Sequence, residues 1–303
     1  MEKLLKVKTD LTFKAVFGRD KEECKEALKR LLNAILGINI EEITYVNPLN
    51  IEEFEGDKET EFDIEIETET KERIDLEIQL RGKPYFNDRL AFYCARLMPE
   101  TIEIGEDYNE LSKSMVVCLA DFKLFNETER YDCRFKFIEK QEHFELTDKM
   151  EIVIFEMAKL AKNKEVCDMT EMEKWLYYLK YVGTGIEEEL VEEIVKESEG
   201  VNMANEILRT ISADERMRSI MRSREKFLRD RITEINYAEE KGRKEGIEKG
   251  RKEGIEKGKK EGIEKGKKEG IIQMAKEMLN NGLDIELVSS ITKLPKEVLE
   301  TLK

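Results

Sequence analysis

Residues 61–80, EFDIEIETETKERIDLEIQL, constrain the fold more than any other stretch of this chain. Apolar side chains alternate with acidic ones up to Glu67, and a similar alternation resumes at Ile74. A repeat of two residues is typical of a β-strand, so the pattern predicts the two strands of a hairpin. One face is apolar and the other carries many Asp and Glu side chains. Like charges on paired strands repel each other, so this face is either solvated or covered by something positive.

The charge of the whole chain limits the classes of function. The 303 residues include 53 Lys and Arg against 68 Asp and Glu, which gives a formal net charge of −15. A purely electrostatic nucleic-acid binder would be basic, so DNA could be met only through a local patch or through metal ions. No run of 18 apolar residues indicates a membrane span, and the first residues do not resemble a signal peptide. We therefore expect a cytoplasmic protein without membrane partners.

Cysteine and histidine usage excludes several chemistries. The five cysteines are scattered and never spaced as CxxC, which argues against a disulfide framework or a zinc site. His143 is the only histidine, and no G-x-S-x-G motif accompanies it. Ser-His-Asp catalysis and a histidine-based metal site are therefore not expected.

The first 160 residues predict a mixed α/β fold around one sheet. The nearly continuous apolar run SMVVCLA is typical of a central strand. Helix start and stop signals flank the other periodic segments. Besides the hairpin, the patterns predict helices over 9–18, 21–37 and 87–105, and strands over 41–47, 112–122, 131–138 and 150–157.

Beyond residue 160 the chain becomes helical and then repetitive. Four octads, each similar to KGRKEGIE, run from Lys241 to Ile272, with glycine at every fourth position. Each glycine costs a helix about 1 kcal/mol relative to alanine. Oppositely charged residues four apart return about 0.2–0.5 kcal/mol per pair. The segment is therefore either a marginal spacer or a long helix whose glycine row lets two copies of the chain approach closely.

Two acidic residues of the hairpin stand out as a candidate metal site. Asp63 and Glu77 lie directly opposite each other if the turn centres on Thr70, whereas a one-residue slip would place Asp63 opposite Leu76. Two carboxylates suit a hard cation such as Mg²⁺. A bound Mg²⁺ would activate water and neutralise charge on a phosphodiester.

The order of several short motifs resembles one nuclease family. Asp63 followed by Glu77-Ile78-Gln79 is similar to the PD-(D/E)XK nuclease motif. More closely, the chain resembles the recombination-promoting nucleases, which are transposase-like members of that superfamily. The resemblance extends over almost the whole chain, through DLTFKAVFG, LLNAILG, EFDIEIET, DLEIQL, NDRLAFYCARL, IGEDYNEL, the repeat, and the final NGLDIELVSSITKLPKEVLETL.

The resemblance implies a metal-dependent DNA endonuclease with a restriction-endonuclease-like mixed sheet flanked by helices, followed by an all-helical C-terminal extension. Asp63 and Glu77 would hold Mg²⁺, with Mn²⁺ as an alternative, and Asp10 would be a further acidic ligand. Gln79 stands where the wider superfamily has a catalytic lysine, so it can orient water but carries no charge. Lys14 and Arg89 match recurrent positions that would contact DNA phosphate.

Each assignment has a simpler alternative. Asp63 and Glu77 would then belong to an ordinary solvated strand face, and Asp10 would only cap its helix. Lys14 and Arg89 would be structural. We interpret the remaining acids of the hairpin as surface charge, namely Glu65, Glu67 and Asp75.

The resemblance suggests four segments. A nuclease-like core over 1–160 precedes a helical extension over 161–240, the repeat over 241–272, and a small helical tail over 273–303. The C-terminal helices offer a surface for homo-oligomers. An alternative function is that of an inactive nuclease-like binding or regulatory protein that acts through these helices. A complete transposase is less attractive, because no zinc finger or obvious recognition helix is present.

Overall fold

A computed structural model describes residues 4–49, 63–82, 84–162 and 164–302. Its strands are β1 (Ile43–Tyr45), β2 (Ile64–Thr68), β3 (Arg73–Gln79), β4 (Ser114–Ala120), β5 (Asp132–Lys136) and β6 (Met150–Glu156). Its α-helices are α1 (Asp10–Phe17), α2 (Glu22–Leu36), α3 (Phe86–Leu97), α4 (Glu171–Tyr181), α5 (Glu188–Glu197), α6 (Glu199–Ala213), α7 (Glu215–Asn280), α8 (Ile285–Thr292) and α9 (Lys296–Glu300).

The strands form one mixed sheet in the order β1-β2-β3-β4-β6-β5. The inner pairs β3-β4 and β4-β6 are parallel, and the outer pairs are antiparallel. Every residue of β4 is buried, which confirms the central strand predicted from its apolar run. The mixed α/β fold of the first 160 residues is likewise confirmed.

Helices cover both faces of the sheet. Side chains of α1, α2, α4 and α6 join one face in the main hydrophobic core, around the fully buried Trp175 and Tyr178. On the other face, α3 packs Leu90 and Cys94 against Val116 and Cys118 of β4. The hairpin therefore lies between two helical layers.

Helix α3 is shorter than the sequence predicts. It ends at Leu97 and passes into a 3₁₀ turn over Met98–Thr101. Pro99 explains the difference, because it lacks an N–H group and its ring clashes with the preceding helical turn. The predicted end at Gly105 is therefore wrong.

The chain divides into two compact units, Met1–Phe227 and Leu228–Lys303. The first unit contains the sheet and helices α1–α6, together with the beginning of α7. The second contains the rest of α7, including all four octads in helical form, and a small apolar cluster around Ala275, Val288 and Leu299. In the described part of the chain, no helix has the length and apolar character needed to cross a membrane.

Candidate active site

The hairpin register brings the two predicted site acids to opposite positions. Ile64 pairs with Leu76, and Glu65 pairs with Asp75. Continuing this antiparallel register by one residue places Asp63 opposite Glu77. The register centred on Thr70 is therefore confirmed, and the register slipped by one residue is excluded.

The acidic face of the hairpin is buried. Glu65, Asp75 and Glu77 are 7%, 0% and 8% exposed, whereas the side chain of Glu67 lies at the rim with 39% exposure. The prediction that Glu65 and Asp75 are surface charge is wrong. The alternating pattern gave no sign of α3, which lies over the same face of the sheet.

Two arginines of α3 lie against these carboxylates, with a tyrosine ring between them. Arg89 donates from Nη2 to Glu77 Oε1 at 2.6 Å. Arg96 Nη2 lies 3.9 Å from Glu65 Oε2. The two guanidinium groups flank the ring of Tyr93, at 5.5 and 5.6 Å from its centroid. Their positions at i, i+4 and i+7 place all three on one side of the helix, where the two arginines supply positive charge to the acidic face.

Sequence reasoning identified Arg89 but missed two further arginines. Arg96 could have been found from its spacing of seven residues from Arg89. Arg73 lies on β3 itself, and its guanidinium nitrogens are 3.7 Å from Glu65 and 3.2 Å from Glu67. Its position directly opposite Glu67 was the available signal.

Gln79 lies beside Glu77 at the end of β3. Its side-chain Nε2 donates to Glu77 Oε1 at 2.5 Å. Its backbone carbonyl accepts a hydrogen bond from the backbone N–H of Asp121 at 2.9 Å. The same carboxylate oxygen of Glu77 thus accepts from both Gln79 and Arg89. The side chains of Gln79 and Glu77 are therefore in direct contact.

Asp75 is the most unusual carboxyl group of this face. Neither of its oxygens has a hydrogen-bond partner among the described residues. Burial raises its pKa to about 8, with further contributions from Asp63, Glu77 and Glu65. Burial also raises the pKa of Glu65. Burial and the neighbouring carboxylates therefore disfavour further negative charge on the acidic face, and Asp75 is mainly protonated at neutral pH.

The structure gives the remaining predicted residues, Asp10 and Lys14, different surroundings. Asp10 Oδ1 accepts from the N–H of Leu11 at 2.7 Å, and Oδ2 accepts from Arg224 of α7 at 2.9 Å. No contact recorded for the described residues joins Asp10 to Asp63 or Glu77. Thr9, not Asp10, occupies the cap position of α1. Lys14 is 5% exposed within α1.

Comparison with known proteins shows which family the chain belongs to. The sequence model that describes the PD-(D/E)XK nuclease family transposases matches residues 7–238 of this chain. The chain belongs to this family. No curated protein and no solved structure matches the chain significantly.

Membership in the PD-(D/E)XK nuclease family transposases agrees with the mixed sheet flanked by helices. The family points to a nuclease or mobile-element role, with DNA as the substrate, and its nucleases generally use divalent metal ions. The family therefore directs attention to the hairpin carboxylates.

The hairpin offers suitable donors for a divalent cation. In the described ranges, no three His, Cys, Asp or Glu side chains converge as a preformed metal site. Carboxylate oxygens are nevertheless the ligands that Mg²⁺ and Mn²⁺ prefer, and the register sets the carboxylates of Asp63 and Glu77 at opposite positions of the hairpin. By donor chemistry, the acidic face fits a divalent cation.

Proposed function

We propose that this protein is a metal-dependent DNA endonuclease that hydrolyses phosphodiester bonds, in the service of recombination or a mobile element. The observation that carries the proposal is the register that sets Asp63 opposite Glu77, with Gln79 bonded to Glu77. The match to a nuclease family over residues 7–238 supports the same reading.

Asp63 and Glu77 would hold the divalent cation, Mg²⁺ or alternatively Mn²⁺. Such a cation supplies Lewis acidity and lowers the pKa of a bound water. With no cation bound, burial raises the pKa of Asp75 to about 8, so Asp75 then adds little negative charge to this face at neutral pH. We propose that Asp10 instead fixes α1 to α7 through Arg224, and that it is a weaker candidate as a metal ligand.

Gln79 and Arg89 have complementary parts in the proposed reaction. The amide of Gln79 can orient a water molecule next to Glu77, but it cannot offset negative charge as a lysine would. Arg89 neutralises Glu77 when no cation is bound. If a cation held Glu77, the guanidinium of Arg89 would be available to a DNA phosphate, for which its planar donors are well suited. We also propose that Lys14 contacts a phosphate group of the DNA.

Cation binding can be tested by calorimetric titration of Mg²⁺ and Mn²⁺ into the full-length protein. We expect binding by the wild type and a loss of at least tenfold in affinity for Asp63→Ala. Glu67→Ala is the matched control, since it removes a carboxylate from the rim of the same hairpin. Equal affinities for the wild type and Asp63→Ala would refute the proposed site.

We propose that residues 1–160 carry out the cleavage and that the helices of residues 161–240 stabilise this nuclease-like core. The contact between Arg89 and Glu77 favours one alternative, a non-cleaving DNA-binding or regulatory protein in which the arginine replaces the metal. That alternative predicts DNA binding without cation binding, together with a biological effect carried by the C-terminal helices.

A further inference from the structure

The first turns of α7 are basic in an acidic protein. Residues 215–227 contain five basic and two acidic side chains, whereas the whole chain has a net charge of −15. All of these residues belong to the first compact unit. A local positive segment of this kind is a candidate surface for a polyanion.

One side of this segment is fixed against α1. Met217, Met221 and Arg224 are buried. The sulfur of Met221 lies 3.5 Å from Thr12 Oγ1, and Arg224 donates to Asp10 at 2.9 Å. These contacts determine which side of α7 faces the protein and which sides face outward.

Three basic side chains follow one outward flank. Arg218, Arg222 and Lys226 are spaced by four residues, so they lie along one stripe of the helix. Arg222 and Lys226 are exposed, and Arg218 is half-buried. Arg222 Nε donates to the carbonyl of Arg218 at 3.2 Å, which holds the base of its side chain along the helix. We name these three residues the α7 stripe.

Helix α1 connects this part of α7 to the hairpin. Lys8, just before α1, forms an ion pair with Asp121 at 2.6 Å. The N–H of Asp121 in turn bonds to the carbonyl of Gln79. The chain at the start of α1 therefore contacts α7 directly, through Asp10, and is linked to the end of β3 only indirectly, through Asp121.

We propose that the α7 stripe binds the phosphate backbone of duplex DNA and holds the substrate for the hairpin site. This inference rests on the proposed function for the identity of the polyanion. Its chemistry is phosphate neutralisation by exposed Arg and Lys side chains, which is independent of base sequence. The stripe also resolves how a chain with such negative charge can engage DNA.

The test is fluorescence anisotropy of the full-length protein with a labelled duplex of about 30 base pairs, in EDTA and over a series of NaCl concentrations. Each phosphate contact contributes about 0.9 to the slope of log affinity against log salt. We expect Arg222→Gln to reduce the slope by about 0.9, and Arg222→Gln with Lys226→Gln by about 1.8. Arg216→Gln is the matched control, because Arg216 is an exposed arginine of the same helix that lies outside the stripe, about 120° around the helix from Arg222.

The outcomes separate this inference from the proposed function. Weaker binding and a smaller slope for the stripe variants, with Arg216→Gln unchanged, would support the stripe. Equal slopes for Arg222→Gln and Arg216→Gln would overturn it, as would an absence of DNA binding by the wild type. Normal binding through the stripe without cleavage in Mg²⁺ would instead contradict the proposed endonuclease and leave the stripe intact.

Discussion

In the proposed site, Arg89 and a divalent cation would compete for the same carboxylate. Arg89 donates to Glu77 at 2.6 Å, so a cation at Glu77 must displace it. A hydrogen bond to a charged group contributes about 1.5 kcal/mol, which corresponds to roughly a tenfold change in affinity. We therefore expect Arg89→Gln to bind Mg²⁺ up to about tenfold more tightly in a calorimetric titration, while DNA cleavage falls.

The control for this competition is Arg96→Gln. Arg96 flanks the same Tyr93 ring, but its guanidinium lies 3.9 Å from Glu65 and has no recorded contact with Glu77 among the described residues. Its loss should leave cation affinity nearly unchanged. Weaker Mg²⁺ binding by Arg89→Gln would show that the arginine supports the site and does not compete with the cation.

Asp75 should make folding stability fall as pH rises. Its pKa is about 8 in the folded protein and near its ordinary value of 3.8 in the unfolded chain. Between these values the folded state binds the extra proton, so the contribution of Asp75 declines from about pH 4 to pH 8. In urea unfolding with EDTA present, Asp75→Asn should stabilise the protein more at pH 8 than at pH 5. An equal effect at both pH values would contradict the raised pKa.

At the scale of residues, the sequence predicts where a side chain lies along its strand or helix better than it predicts which other groups surround that side chain. The alternation of the hairpin puts Asp63 and Glu77 on the same face, and a turn centred on Thr70 then sets them opposite each other. It does not reveal that Asp75 is fully buried, because α3 enters the fold from later in the chain. The pairing of Asp10 with Arg224 spans more than 200 residues and has no local signal.

At the scale of elements, the octads are helical and carry oriented ion pairs between residues four apart. Pairs with Glu four residues before Lys are short, and pairs in the reverse order are longer, as expected for the more favourable orientation. The short pairs are Glu240–Lys244, Glu248–Lys252 and Glu256–Lys260 at 2.6–2.8 Å, and the long pairs are Lys241–Glu245, Lys257–Glu261 and Lys265–Glu269 at 3.9–4.0 Å.

The repeat glycines should be the weak points of α7. A methyl group added at Gly250 or Gly258 would meet nothing within 4 Å. Each glycine-to-alanine change should therefore stabilise the helix locally by about 1 kcal/mol. Hydrogen exchange of nearby amides should slow by about fivefold per substitution. Unchanged or faster exchange would show that the glycines serve close contacts absent from the single chain, such as those between two copies.

Gly37→Ala is a control with the opposite expected sign. An added methyl group there also meets nothing within 4 Å, but Gly37 ends α2 with φ of +69°. Alanine is strained in this left-handed conformation, so the substitution should destabilise the protein by about 1 kcal/mol. The sequence predicted this helix end correctly because glycine is the usual residue at such a position.

At the scale of the whole first unit, the chain near residue 5 is tied to the helical region. The N–H of Leu5 bonds to Ser212 Oγ at 3.1 Å. The Leu5 carbonyl lies close to Gly183, where an added Cβ would approach its oxygen to 2.2 Å. Glycine is therefore required at 183 by both space and its φ of +71°.

Gly183→Ala should lower the free energy of unfolding by about 3 kcal/mol, combining backbone strain with overpacking. Gly185→Ala separates the two effects, because Gly185 has a φ of +80° but the closest atom to an added Cβ is 3.9 Å away. It should cost only about 1–2 kcal/mol. Equal losses for the two variants in denaturant unfolding would exclude the close approach at Leu5.

The packing of the helices against the sheet was harder to predict from the sequence than the individual helices and strands. The change of composition near residue 160 marks where strands give way to helices, yet Trp175 and Leu208 pack into the same core as the sheet. Local periodicity cannot show which helix covers which face. For the same reason, the long helical form of the octads was open until the structure was known.

The most direct test of the account is plasmid cleavage by the full-length protein in Mg²⁺ and Mn²⁺. The wild type should convert supercoiled plasmid to nicked or linear forms, and EDTA should abolish the reaction. Asp63→Ala and Glu77→Ala should each reduce the rate by at least a hundredfold, because the proposed site needs both carboxylates. Glu67→Ala should cleave at nearly the wild-type rate. Cleavage that persists in both site variants, or no cleavage by the folded wild type, would contradict the hairpin as a nuclease site.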